Sequence, residues 1–266
     1  MKKLNIFILG GTKDSTEIIK HLKANYDTHI LTTTITEYGS RLAKEAGSDE
    51  TIARPLLKDE IIEIINNSDF DLLLDATHPF AEHITKTSVS VSQICDIEYI
   101  RFERPPLSFE NIDTSHIVYA ESFEDAGKII SEKYPEGSVL HFAGANTMED
   151  VLKNVPVERF YPRILKVTKS IEKCEMLGIK SDHIIPMKGA ASLEENTDLI
   201  EKYDASVMIT KESGEIGGVI EKIEAANDKD ISLIMIKRPF IKELNEKDIV
   251  TNLNQLDEKL KNLFCN

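Results

Sequence analysis

The segment DLLLDATHPFA, residues 71–81, carries three consecutive leucines into Asp75, Thr77 and His78 before a new apolar pattern begins. A carboxylate, a hydroxyl and an imidazole packed together at the end of a buried strand suit either a helix cap or a ligand site at the mouth of a sheet. Pro79 fits the first position of a helix and holds His78 extended, so a helix is predicted from residue 79 with Thr77 or His78 as its cap. A metal centre is not expected. His78 and His83 are five residues apart, which on a helix turns them about 140° from one another. No H-E-x-x-H and no second ligand pair accompanies them.

Three other clusters could do chemistry. Gly10-Gly11-Thr12 sits between an apolar run and a helix-like segment that Asp14 or Ser15 could cap. Glycines allow close backbone approach, and a helix start offers unpaired N–H groups, so the turn suits phosphate. It is neither G-x-G-x-x-G nor a Walker loop, and an ordinary glycine turn accounts for it equally well. The second cluster runs from Thr32 through Thr34, Thr36, Glu37, Tyr38, Gly39 and Ser40 to Arg41. In a dinucleotide fold an acid here favours NAD and an arginine favours the 2′-phosphate of NADP; Glu37 and Arg41 offer both. The third is Thr210-Lys211-Glu212-Ser213-Gly214 with Gly217-Gly218, a lysine, a serine and a glycine-rich turn that suit a carboxylate or phosphate. Arginines are scarce, yet Arg101 and Arg104 share one strand end, with Arg163 and Arg238 near others. A polycarboxylate would need several such planar forks, although a surface ion pair is the ordinary role of any one of them.

These clusters need elements to hold them. Apolar runs of strand length at 4–10, 28–34, 72–76, 98–103, 115–120, 138–143, 160–165, 183–188, 206–211 and 231–237 alternate with helix-like stretches, including 14–24, 58–66, 79–94, 122–133, 168–177, 192–202, 217–227 and 253–264. Alternation of this kind, with strands rich in Ile, Leu and Val, predicts an α/β fold on mostly parallel sheets. The turn-rich ERPPLSFENIDTS, residues 103–115, marks a boundary. The two sides of it echo one another: 27 residues separate Thr77 from Arg104, and 28 separate Thr210 from Arg238. The formal net charge of −14 and the absence of a basic run argue against nucleic acid. No stretch approaches the roughly 20 apolar residues of a membrane span. Cys95, Cys174 and Cys265 form no C-x-x-C pair, so a reducing cytoplasm is the expected location.

Taken in order, Ile8-Leu9-Gly10-Gly11-Thr12, Thr36-Glu37-Tyr38-Gly39, D-A-T-H-P-F-A at 75–81, Arg101-Phe102-Glu103-Arg104-Pro105, the Thr210–Gly218 cluster and Lys237-Arg238-Pro239 resemble the precorrin-6A reductase family, including its cobalt-precorrin-6A branch. The resemblance spans residues 8–239. It implies NADPH- or NADH-dependent reduction of one C=C bond of a corrin precursor in cobalamin biosynthesis, converting (cobalt-)precorrin-6A to (cobalt-)precorrin-6B. It further implies two Rossmann-like parallel-sheet domains, 1–107 and 108–240, with the active site in the cleft between them and a C-terminal helix, 241–266, on either domain. Gly10, Gly11, Thr12, Thr34, Thr36, Glu37, Tyr38, Gly39, Ser40, Arg41, Asp75, Thr77 and Pro79 would then meet the cofactor. Arg101, Arg104, Arg163, Lys188, Lys211, Ser213 and Gly214 would bind the carboxylate arms of the macrocycle, and any cobalt would belong to the substrate. His78 has a suitable unperturbed pKa for the proton donor, with Tyr38, Lys211 and solvent also open. The chain departs from the family in lacking tryptophan after E-R-P, in reading Gly189-Ala190-Ala191 where G-P-F is common, and in placing Arg41 one position late with Ser40 in its stead.

Two other readings stand beside it. An unrelated short-chain dehydrogenase would use Tyr-x-x-x-Lys, yet Ile30, Leu42, Glu103, Phe123, Ser138, Leu165 and Val207 follow the seven tyrosines at that spacing. A non-catalytic tetrapyrrole- or nucleotide-binding protein would keep the same loops without the chemistry.

Overall fold

The computed structural model describes residues 3–187, 189–213 and 218–264. The chain divides into two compact units: unit 1 is everything up to Pro105 together with the residues from Phe240 onward, and unit 2 is Pro106–Pro239. Unit 1 runs β1 (Leu4–Leu9), α1 (Lys13–Asn25), β2 (Thr28–Thr34), α2 (Glu37–Ala46), β3 (Glu50–Ala53), α3 (Lys58–Asn66), β4 (Leu72–Asp75), α4 (Glu82–Cys95) and β5 (Glu98–Phe102). Unit 2 continues with β6 (Ile117–Ala120), α5 (Phe123–Lys133), β7 (Ser138–His141), α6 (Met148–Leu152), β8 (Phe160–Ile164), α7 (Thr168–Met176), β9 (Ile185–Pro186), α8 (Leu193–Lys202), β10 (Ala205–Lys211), α9 (Val219–Asp228) and β11 (Ser232–Ile236). The chain then returns to unit 1 for β12 (Ile249–Val250) and α10 (Leu253–Phe264).

Every strand pair among the described residues is parallel. The sheets are ordered β12-β5-β4-β1-β2-β3 and β6-β11-β10-β7-β8-β9. Numbered from β7, the second sheet repeats the order of the first, and each has a sixth strand beside its fifth. That sixth strand lies outside the repeated order, as β12 in the first sheet and β6 in the second. β6 follows β5 in sequence but pairs with β11, while β12 follows β11 but pairs with β5. The sequence echo thus has a topological basis, and a chemical one. Asp75 on β4 pairs with Arg101 on β5, and Glu212 just past β10 pairs with Arg238 just past β11; each pair is 26 residues apart.

Strand periodicity sorts the core of unit 1 into two layers. Ile6, Ile8, Leu72, Leu74 and Ile100 face α1, α2 and α10, packing with Ile18, Leu22, Ala43, Leu256 and Leu260. Phe7, Leu9, Leu31, Leu73 and Tyr99 face α3 and α4, packing with Ile61, Ile65, Val89 and Val91. In unit 2, Leu140, Met208, Leu233 and Met235 pack with Ile200, Val219, Ile223 and Ala226 of α8 and α9.

Local signals explain some boundaries and mislead at others. Thr12 caps α1 with a reciprocal Ser15 bond, and Thr36 caps α2 by accepting from the Gly39 amide. Residues 37–41 belong to the Thr32–Arg41 cluster expected as the loop after β2, yet 37–46 form a helix that Gly47 ends in the left-handed conformation at φ 112°. The helix predicted from Pro79 begins three residues later, at Glu82, with Ala81 as its cap and no side-chain capping bond. Thr77 and His78 do not cap it, because their polar atoms bond backward to Asp75 and forward to the Phe80 amide. Strand β3 is short and only partly apolar, and β12 is two residues long, which hides both from a search for hydrophobic runs.

Helix α10 is fixed by burial of Leu256 and Leu260 and by Asp257, which accepts from Tyr26 Oη and pairs with His21, both at 2.8 Å. Truncating the wholly buried Leu260 to alanine is expected to destabilise the protein by roughly 2–5 kcal/mol in urea denaturation. A loss under about 1 kcal/mol would mean that α10 is not part of the cooperative core.

Candidate active site

The polar block at the end of β4 is built around a buried ion pair. Asp75 and Arg101 are both 0% exposed. Asp75 Oδ1 accepts from Arg101 Nη1 at 2.7 Å, from Thr77 Oγ1 at 2.6 Å and from the Thr77 amide at 3.0 Å. Its Oδ2 accepts from Thr85 Oγ1 at 2.8 Å and Tyr99 Oη at 3.2 Å. Arg101 Nε donates to Glu103 at 3.1 Å, and Nη1 also reaches Thr77 Oγ1 at 2.9 Å. Burial alone would push the guanidinium pKa down, but the Asp75 and Glu103 carboxylates outweigh it and raise the value. Burial, with Asp75 beside it, likewise drives the Tyr99 phenol upward, so it stays a neutral donor.

This network corrects two expectations. The family resemblance gives Asp75 to a cofactor and Arg101 to a substrate, yet neither side chain reaches the surface, and each neutralises the other. The pair acts instead on the turn after β4. Thr77 is folded back over Asp75, and His78 Nδ1 accepts from the Phe80 amide at 3.2 Å, which puts the proton of neutral His78 on Nε2. Thr12 Oγ1 donates to the Ala76 carbonyl at 2.8 Å, tying the glycine loop to the same turn.

A cavity of about 800 Å³ opens where these loops meet, at the carboxyl ends of β1, β2 and β4. It is lined by residues 10–12, 33–36, 54–56, 77–78 and 80–84, with Leu9 and Ile61. Gly10 is closely packed there: a Cβ would lie 3.0 Å from Thr32 Cγ2 and 3.1 Å from Ser15, so those side chains would have to give way. Gly11 has φ +99°, a conformation that L side chains rarely adopt. Ser15 Oγ accepts from the Gly11 and Thr12 amides, both at 3.1 Å, and fixes the loop from within.

Of the expected cofactor residues, Gly10, Gly11, Thr12, Thr34, Thr36 and Thr77 line this cavity, as does His78. Glu37, Tyr38, Gly39, Ser40, Arg41 and Pro79 are not among its lining residues. Ser40 is buried against Thr51, and Arg41 lies over the Tyr38 ring at 5.2 Å. The Arg54-Pro55-Leu56 wall escapes the sequence reading; its only trace there is an arginine-proline step after a short strand.

Arg104 pairs with Asp14 at 2.5 Å within unit 1. In unit 2, Arg163 is half-buried, its guanidinium 4.4 Å over the Phe142 ring and 3.4 Å from Asn196 Oδ1. Lys211 ends β10, and burial lowers the pKa of both cations. Ser213 lies just beyond, partly exposed, while Lys188 and Gly214 lie outside the described residues. Glu212 of the same cluster bonds Arg238, so that pair serves the loop itself.

Lys222 also escapes the sequence reading. It is 2% exposed on α9, and its signal is there to be read: with Val219, Ile223 and Ala226 it occupies the apolar stripe of that helix. Burial, then the Arg163 and Lys211 charges, push its pKa down to about 7, with Glu221 opposing. Arg163 and Lys211 thus lie near enough to Lys222 for their charges to act on it. Among the described residues no group of three or more His, Cys, Asp or Glu side chains could hold a metal ion. No helix among them is long and apolar enough to cross a membrane.

Replacing Asp75 by asparagine leaves the Arg101 charge buried without its main partner and is expected to cost roughly 3–5 kcal/mol in urea denaturation. A cost near zero would mean that Glu103 alone holds the guanidinium. Lys222 gives a pH signature. The unfolded lysine binds a proton up to about pH 10.4, whereas the folded one releases it near pH 7. Unfolded chains therefore carry more protons between those values, and stability rises with pH across that window. Lys222→Met is expected to flatten this slope; an unchanged slope would rule the assignment out.

Comparison with known proteins agrees over the whole chain. The family model described as precorrin-6x reductase CbiJ/CobK matches residues 5–261. The chain is 37% identical to the cobalt-precorrin-6A reductase of Methanothermobacter thermautotrophicus, covering 98% of this chain and 85% of that one. It is 36% identical to the enzyme of the same name from Methanocaldococcus jannaschii, over 97% of each. Among solved structures, a CobK precorrin-6A reductase has the same fold, with a TM-score of 0.73 at 16% identity over 98% of both chains.

Proposed function

The chain belongs to the precorrin-6x reductase family, and we propose that it acts as a cobalt-precorrin-6A reductase with its nicotinamide cofactor held in the cavity of unit 1. The enzyme is an oxidoreductase that reduces one C=C bond of a corrin precursor in cobalamin biosynthesis. The cobalt form is favoured by the relatives of highest identity named above, and the cobalt travels with the substrate.

One observation carries the cofactor assignment: the cavity joins a glycine turn at a helix start, the end of β2 and the turn after β4, which is the layout of a dinucleotide site in an open parallel sheet. The residues fit such a ligand. Gly10 and Gly11 let the backbone approach closely, and the first-turn amides of α1 at Lys13 and Asp14 have no intrahelical acceptor and suit a pyrophosphate. Thr34 and Thr36 border the ribose corner, and Thr77 and His78 border the nicotinamide side. When bound, the nicotinamide supplies hydride to one carbon of the macrocycle while a proton adds to the neighbouring carbon. Thr77 and His78 have the task of orientation, because Asp75 fixes the turn that presents them. With Nδ1 accepting from the Phe80 amide, His78 offers an Nε2–H that can hydrogen-bond a ligand at the cavity wall. Arg163 and Lys211, with Ser213, bind carboxylate arms of the substrate, and Lys188 and Gly214 extend this set from sequence. Holding donor and acceptor carbons at near-attack distance supplies much of the acceleration.

Incubation of the purified protein with cobalt-precorrin-6A and NADPH or NADH should consume the reduced nicotinamide and add two hydrogen atoms to the macrocycle, read by absorbance and mass. Cofactor binding without oxidation, in the presence of the macrocycle, would refute the catalytic assignment in favour of a carrier.

A further inference from the structure

We infer that Arg54, and not Arg41, recognises the 2′-phosphate of NADPH, an assignment that rests on the cofactor site proposed above. The β2–β3 register pairs Thr34 with Ala53, so Arg54 stands beside the point where β2 ends. In dinucleotide folds that point reads the ribose, with an acid for NAD and an arginine for NADP. Here the end of β2 presents Thr33, Thr34, Ile35 and Thr36, without a carboxylate. The hydroxyls at this corner are already engaged: Thr34 Oγ1 donates to the Thr36 carbonyl, and Thr36 Oγ1 accepts from the Gly39 amide. Among the described residues that line the cavity, Arg54 is the only lysine or arginine, and the only carboxylate, Glu82, belongs to α4.

The guanidinium is held in a usable orientation. Nη1 bonds Glu60 Oε1 at 2.7 Å and the Pro55 carbonyl at 3.2 Å. Glu60 is itself fixed, its Oε2 accepting from the Leu57 amide at 2.7 Å at the start of α3. Both bonds leave from one nitrogen, so the Nε–Nη2 edge can take two phosphate oxygens side by side. With its side chain 55% exposed, Arg54 is accessible to a ligand entering from solvent. Arg41 is differently placed: 65% exposed on α2, it lies over Tyr38, 3.8 Å from Glu45, and does not line the cavity.

The test compares binding of adenosine 2′,5′-bisphosphate and AMP to the full chain by calorimetry. The native protein should favour the bisphosphate by about tenfold or more, since a charge-assisted bidentate contact is at stake. Arg54→Gln should bring the two affinities to within about threefold of each other, and Arg41→Ala should keep the native ratio. Absence of a native preference, its survival in Arg54→Gln or its loss in Arg41→Ala would overturn the assignment. If Arg54→Gln loses AMP binding as well, Arg54→Lys decides, because it keeps the cation and removes the fork: a smaller ratio supports the role, and a native ratio overturns it. Failure of the native protein to bind either dinucleotide would instead overturn the proposed site itself, whereas equal binding of NADH and NADPH would overturn only the role of Arg54.

Discussion

The buried pair of Asp75 and Arg101 is the interaction on which unit 1 depends. Two opposite charges without solvent access are costly to bury and tolerable only when nearly every lone pair and proton is matched. That requirement recruits Thr77, Thr85, Tyr99 and Glu103, which come from α4 and β5, from the turn after β4 and from the residue just past β5. A network of this kind admits few alternative geometries. It sets the turn after β4, and the Thr12–Ala76 bond carries that turn's position to the glycine loop. The cavity wall is therefore determined by charges that never face the cavity.

Unit 2 uses the same plan with a different distribution of charge. Its acid–arginine pair, Glu212 and Arg238, sits just beyond the strands and retains some solvent contact. The interior position is occupied by cations, with Lys222 in the apolar stripe of α9 and Arg163 against the Phe142 ring. One topology thus frames two chemistries. In unit 1 the loops enclose a cavity of small, hydroxyl-bearing and apolar residues; in unit 2 a lysine and an arginine are held among apolar side chains.

Much of this is legible in the sequence, and the failures have physical causes. Strands such as β1, β4 and β10 are apolar on both faces, so parallel sheets can be read directly from LNIFIL and LLLD. The loop expected over 32–41 is in part the helix 37–46, whose Thr36 cap and Ala43–Ala46 face are short-range and weak signals. Asp75 and Arg101 stand out in the sequence as ligand groups, since a sequence does not distinguish a charge awaiting a partner from one already paired 26 residues away. The same blindness applies to Arg54 and Arg41. Both are exposed arginines near the end of β2, and only the β2–β3 register brings the former to the cavity.

The reciprocal placement of β6 and β12 bears on how the chain comes off the ribosome. Five strands of unit 1 are made first, but the strand that covers the β5 edge and the helix that covers Ile6, Ile8 and Leu74 are made last. Until then the nascent protein carries an open parallel edge and an uncovered apolar face, both prone to association with other chains. Residues 1–105 alone would lack β12 and α10, whereas all six strands of the second sheet follow residue 105. Assembly is thereby tied to completion of translation: a ribosome that stops early releases a product recognisable by its unfinished sheet.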